Sequence, residues 1–240
     1  MSHPFTGSPK FPFDTTLNLP RAKKHQDDVH KALAELPQPR KHYKWYYSTE
    51  SASSDMSEPT QGMHNFLRGY FHLKSADWAG NNPHHLKSFT ALELAKLPNY
   101  YIMPFNSSMR EAIAADMATE DPVEVKTKSA PWLPDSELAV YVSEFTRNTF
   151  QGGLNWYRIA TDPANMKDIE LFAGKEIEVP SLYIAGKKDW GTYQEPGAVE
   201  KLKEICQLKA ARFVEDAGHW VQQEQPEEVV KLIRAFLEQI

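Results

Sequence analysis

Apolar residues recur at helical spacing along most of this chain and shift to strand-like runs only near its end. Over 27–36, Val29, Leu33 and Leu36 fall on one helical face, acids open the segment, and Pro37 and Pro39 close it. Phe66, Tyr70 and Leu73 predict a second helix over 62–74. A short apolar segment at 91–97 is closed by Pro98, and 107–117 continues helical. Leu138, Tyr141, Val142 and Phe145 fall at i, i+3, i+4 and i+7, an amphipathic stripe that predicts a helix over 135–146. Pro4, Pro9, Pro12 and Pro20 make the start of the chain read as extended and irregular. Before residue 165 no segment reads as a buried strand.

The pattern then changes. Residues 179–186 form a short apolar run bounded by Pro and Gly, which predicts a buried parallel strand. A helix is expected over 196–206 and a second short strand over 211–214. Pro226 opens a last helix, with Val229, Val230, Ile233, Phe236 and Leu237 along one face. Strand–helix–strand–helix is an α/β pattern. The expected fold class is therefore α/β, with a long helical region ahead of a small α/β segment.

Composition narrows the functional classes. At 240 residues the chain can bury a sizeable core, and 41% apolar with 25% charged residues is an ordinary globular balance. A net charge of −5 without a basic stripe argues against nucleic acid as a partner. No apolar run approaches the roughly 20 residues that span a bilayer, so no membrane partner is expected. The N-terminus lacks the basic and apolar regions of a signal peptide, and the one cysteine, Cys206, suits a reducing compartment. The expected location is cytoplasmic, and no metal or cofactor is expected.

Two residues carry the chemistry. Asp189 follows the first predicted strand, where open α/β sheets present ligand-binding groups, and His219 follows the second, beside Gly218 and Trp220. Each alone has an ordinary reading: Asp189 as a turn former, His219 as one of nine histidines. Together, on consecutive strand–helix units, they have the order of an orienting acid and a general base. A carboxylate bonded to one imidazole nitrogen fixes the tautomer, so that the other nitrogen accepts a proton. A nucleophile should precede both. No G-x-S-x-G occurs, Cys206 is flanked by Glu204 and Leu208 in helical sequence, and Lys187 crowds any turn centred on Asp189. Asp77, between Ser75 and Ala79, has small neighbours but neither a buried strand before it nor a prompt helix after it.

Residues 150–158, FQGGLNWYR, are similar to the GF-x-G-x-LNWYR segment late in the cap of the soluble epoxide hydrolases of the α/β-hydrolase fold. Thr149 stands where that family usually has glycine. Residues 43–47 resemble the early cap segment, and 1–5 the exit from the sixth core strand. The Asp189 and His219 blocks resemble the acid and base segments, the latter through GHW-x-Q-x-E-x-P. The resemblance implies a partial α/β-hydrolase: a core-strand remnant at 1–15, a helical cap at 16–165, and the C-terminal part of the core at 166–240. The N-terminal core strands and the Asp nucleophile are then missing. It implies roles as well: Asp189 as orienting acid, His219 as general base, Tyr43 and Tyr157 as donors to the epoxide oxygen, Trp156 and Trp220 as pocket lining. Plain aromatic packing stands beside these roles for Tyr43 and Tyr157, and Tyr46, Tyr47, Tyr70, Tyr100 and Tyr101 read as cap core.

The reaction so implied is addition of water to an apolar small-molecule epoxide, giving a diol, in a chain that is catalytically incomplete alone. Two other readings stand. One is half of a split or truncated hydrolase acting on epoxides, haloalkanes or esters, since a sheet of so few strands leaves an open edge that invites association. Its partner is then a missing N-terminal half or a second copy. The other is a non-catalytic module that binds small molecules or assembles.

Overall fold

The computed structural model describes residues 19–161 and 177–240. The expected remnant at 1–15 and the boundary near 165 lie outside those residues.

The first described part is built of helices around an aromatic core. It begins with α1 (Leu19–Ala34), which buries Leu33. β1 (Arg40–His42) runs directly into α2 (Tyr43–Tyr47), followed by α3 (Ala52–Ser57) and α4 (Met63–Lys74). α4 supplies Phe66, Leu67, Phe71 and Leu73 to the core. Then come α5 (Ala91–Leu94), β2 (Ile102–Pro104), α6 (Met109–Met117) and α7 (Pro122–Ser129). Ser108 and Glu111 form a reciprocal capping box on α6, and Asp121 caps α7 ahead of Pro122, which fixes where both begin. α8 (Asp135–Asn148) buries Leu138 and packs Tyr141, Val142 and Phe145 on the core, as its stripe predicts. α9 (Gln151–Thr161) closes this part. Arg68 ties α4 to the α7–α8 corner: its guanidinium donates to Ser129 Oγ (2.8 Å), the Leu133 carbonyl (2.7 Å) and Asp135 Oδ1 (2.8 Å).

Before residue 165, where no buried strand is expected, the structure adds two short strands, of which β2 buries Ile102 and Met103. β1 and β2 pair antiparallel, with Arg40 opposite Pro104 and His42 opposite Ile102. Each strand is three residues long and β1 is polar, so neither carries a periodicity to read. The pairing is made by backbone groups far apart in sequence, and Tyr43 N extends it by donating to the Tyr101 carbonyl at 2.8 Å.

Thr149 caps α8 with φ 58 and ψ −174, a backbone region that suits glycine and strains a β-branched residue. This is the position where the sequence has Thr for Gly. Thr149→Gly is therefore expected to raise the unfolding free energy by about 1 kcal/mol, the relieved strain less the entropy of an added glycine. Urea denaturation of the two proteins measures it, and an unchanged or lower midpoint contradicts it.

The second part holds β3 (Ile177–Gly186), α10 (Trp190–Tyr193), α11 (Ala198–Ile205), β4 (Cys206–Val214), α12 (Val221–Glu224) and α13 (Pro226–Leu237). β3 and β4 pair parallel, as the α/β pattern requires, with irregular register between Ile177 and Leu182, where Pro180 has no N–H to give the ladder. β4 is longer than expected, and Cys206 opens it instead of lying in helix. Only Ala185 and Gly186 of β3 are buried, and Val179 is 65% exposed. Of the apolar face on α13, Val229 is buried while Val230, Ile233 and Leu237 are exposed. The expected burial fails because, among the described residues, β3 has one neighbouring strand and little to cover it. Among the described residues no helix is long and apolar enough to cross a membrane.

Candidate active site

The two parts meet at the ends of β3, β4 and α4. Asp189 caps α10, with its carboxylate accepting from Gly191 N at 2.7 Å, which fixes the side chain at the mouth of β3. It is 3% exposed. The chain leaves β4 through a turn in which Asp216 takes φ 49, and His219 Nδ1 then lies 3.2 Å from Asp189 Oδ1. A proton on Nδ1, held by that carboxylate, makes Nε2 the basic nitrogen.

Backbone contacts fix the His219 loop. His219 N donates to the Lys74 carbonyl at 2.9 Å, and Lys188 N to the Ala217 carbonyl at 2.9 Å. Glu224 fastens the same loop to the end of α4: its carboxylate accepts from Ala76 N (2.7 Å), Gly218 N (2.9 Å) and Trp220 N (3.0 Å). Burial outweighs those three donors and pushes the Glu224 carboxyl up to about 7. Trp220 is held by its indole N–H on the Phe71 carbonyl (2.9 Å) and packs against the Phe71 ring and edge-on to His219.

A cluster of tyrosines lies across from this loop. Tyr43 and Tyr157 meet edge to face with centroids 5.8 Å apart, and Tyr43 meets Tyr101 at 5.1 Å. Burial pushes the Tyr157 phenol up, helped by Tyr70 and opposed by a hydrogen bond with Tyr43, so it stays a proton donor at neutral pH. Tyr101 is pushed well up by burial and by the Asp189 carboxylate. A Cβ on Gly191 would stand 2.9 Å from Asp189 Oδ1 and 3.1 Å from the Tyr101 hydroxyl, which puts that hydroxyl beside the Asp189 turn. The structure thus brings Asp189, His219 and Trp220 together, and Tyr43 with Tyr157. Trp156, on α9, is 51% exposed.

Sequence reasoning missed three members of this region. Tyr101 reads from the sequence as cap core, although its hydroxyl stands beside the Asp189 turn. Glu224, within the His219 block, carries no sequence signal of its own. Lys74, a helix-end lysine, gave no signal at all. Asp77 accepts from the Trp132 indole N–H at 2.8 Å. Among the described residues no group of three or more His, Cys, Asp or Glu is placed to hold a metal ion.

No family model matches the chain. Over 107 residues it is 40% identical to epoxide hydrolase A of Mycobacterium tuberculosis, covering 44% of this chain and 32% of that protein. Over 108 residues it is 35% identical to epoxide hydrolase B of the same organism, covering 44% and 30%. Epoxide hydrolase 3 of Siraitia grosvenorii is 33% identical over 112 residues, covering 44% and 34%. The chain spans about a third of the length of these curated relatives. In fold it is similar to an epoxide hydrolase from an endophytic Streptomyces, with a TM-score of 0.62 at 24% identity, covering 87% of this chain and 55% of that one. Potato epoxide hydrolase I gives a TM-score of 0.61 at 21% identity, covering 96% and 61%. Over 44% of its length the chain is thus similar in sequence to part of the epoxide hydrolases, and its fold is similar to part of theirs, an α/β-hydrolase fold.

Proposed function

We propose that this chain carries the base and proton-donor side of a site that adds water to a small, largely apolar epoxide, giving a diol. The 3.2 Å contact between His219 Nδ1 and Asp189 Oδ1 supports this reading most directly. In the step its own residues support, His219 Nε2 takes a proton from water as the water oxygen bonds to a ring carbon. The ring C–O bond breaks, and the alkoxide takes a proton from Tyr43 or Tyr157, whose phenols stabilise the growing charge. The imidazolium then returns its proton through solvent to the tyrosinate. Trp220 packs edge-on against the base, where it would line the substrate site.

The carboxylates near His219 are engaged otherwise: Asp189 by His219 and Gly191 N, Glu224 by three backbone N–H groups, Asp77 by Trp132. We therefore read the chain as incomplete, among its described residues, for the faster route through a covalent ester. Purified chain incubated with an aryl epoxide is expected to form diol slowly. A burst of product, or turnover at the rate of the longer relatives, overturns the incomplete-site reading. Tyr157→Phe is expected to lower that slow rate about 100-fold, the usual effect of losing one donor to a developing oxyanion. Hydrolysis of a simple aryl ester by the same two proteins should stay level, and an equal loss on both substrates contradicts the assignment.

A second reading has its own observation. Val179 on β3 and Val230, Ile233 and Leu237 on α13 are exposed apolar residues, and β3 and β4 each pair along one edge only, among the described residues. Further strands and helices of an α/β-hydrolase core, in a second polypeptide or an additional segment, suit those residues and edges. A monodisperse monomer in sedimentation that binds no partner half contradicts it.

A further inference from the structure

Lys74 ends α4 and is 4% exposed, an unusual burial for a lysine. Its ammonium lies over four tyrosine rings: 4.6 Å from the Tyr70 centroid, 4.9 Å from Tyr101, 5.2 Å from Tyr100 and 6.0 Å from Tyr43. Its own carbonyl receives the His219 N–H, so the side chain runs from the base loop to the tyrosine pair. Two of the rings are fixed by other bonds, Tyr70 hydroxyl with Tyr47 hydroxyl at 2.9 Å and Tyr100 hydroxyl on Asn81 Oδ1 at 2.6 Å. They therefore turn faces, not oxygens, toward the charge.

Ring faces attract a cation but return less than the hydration an ammonium gives up on burial, and buried charges are ordinarily paired. Among the described residues no carboxylate comes within 4.0 Å of Lys74 Nζ. The geometry points to an anionic group of the ligand as the missing counter-charge: Lys74 recognises a carboxylate, and the substrate is a short epoxy acid whose ring lies between Tyr43 and His219. This rests on the epoxide reading above. Tyr43 links the two ends, since its ring meets both the ammonium and Tyr157. With the ammonium 6.0 Å from the Tyr43 ring centroid, the carboxylate is assigned a place close to the epoxide ring, while the tyrosine faces suit an apolar remainder.

The test compares binding of 3-phenylglycidate and its primary amide, which has the same shape without the charge, to the purified full chain by calorimetry at neutral pH. The unmodified chain is expected to bind the acid about tenfold more tightly, Lys74→Met to lose the preference while still binding the amide, and Lys74→Arg to keep it. Equal binding of acid and amide by the unmodified chain overturns the carboxylate assignment and leaves the epoxide site standing. A preference that survives in Lys74→Met also overturns it. Binding of neither ligand overturns the epoxide site and this inference together. Should Lys74→Met not fold, Lys74→Gln is measured in its place, and a preference for the acid that survives there overturns the assignment.

Discussion

Replacing His219 with glutamine is expected to lower diol formation from an aryl epoxide by about 100- to 10,000-fold, down to the uncatalysed background. Glutamine keeps much of the side chain's size and polarity but has no nitrogen that accepts a proton at neutral pH. The loop itself should hold, because its anchors are backbone groups: His219 N on the Lys74 carbonyl, and Gly218 N and Trp220 N on the Glu224 carboxylate. The thermal midpoint should therefore move little while the rate collapses. Asp189→Asn should follow with a similar loss, since an amide can turn its NH2 toward Nδ1 and select the wrong tautomer. Initial rates by product chromatography, beside thermal melts of all three proteins, measure this. A His219→Gln rate equal to that of the unmodified chain removes the base from the proposed reaction.

The contact at the centre of that prediction was legible because it depends on local rules. A strand that ends in Gly186 and an Asp that caps the next turn put a carboxylate at the sheet mouth. A Gly-His after the neighbouring parallel strand must then come out at the same mouth. The amphipathic stripe of α8 was legible for the same reason, as its period is written in four residues. What escaped depends on residues far apart in sequence. Tyr43 is held by the Tyr101 carbonyl through a strand pair too short to show alternation. Lys74 reads as a solvated cation suited to a helix C-terminus, and only the four tyrosines gathered around it make it a buried one. The apolar faces of β3 and α13 were read correctly as apolar. The burial expected of β3 does not follow from that, because a sequence shows which face wants covering and not whether a cover is there.

Gly218→Ala is expected to cost about 3 kcal/mol of stability, the upper end for forcing a methyl into a packed site, and to abolish diol formation as fully as His219→Gln. A Cβ on Gly218 would lie 2.4 Å from the Lys74 carbonyl oxygen, 2.6 Å from Ser75 C and 2.8 Å from Ala76 N. All three are backbone atoms at the end of α4, so no side chain can rotate to make room. Retreat in the other direction is blocked at Gly186, whose own Cβ would fall 2.2 Å from the carbonyl oxygens of Ala217 and Gly218. The 217–218 backbone is thus held between two surfaces that admit only hydrogen, and any relief moves His219 off Asp189. Gly152→Ala and Gly153→Ala supply the control. They lie in α9 with nothing within 4 Å of the added Cβ, so alanine there should be neutral or stabilise by about 0.5–1 kcal/mol through helix propensity. Urea denaturation and epoxide assays of the three variants separate the cases. A Gly218→Ala protein as stable and as active as the Gly152→Ala protein means that the end of α4 and the His219 loop do not meet as described, and the placement of the base beside Lys74 falls with it.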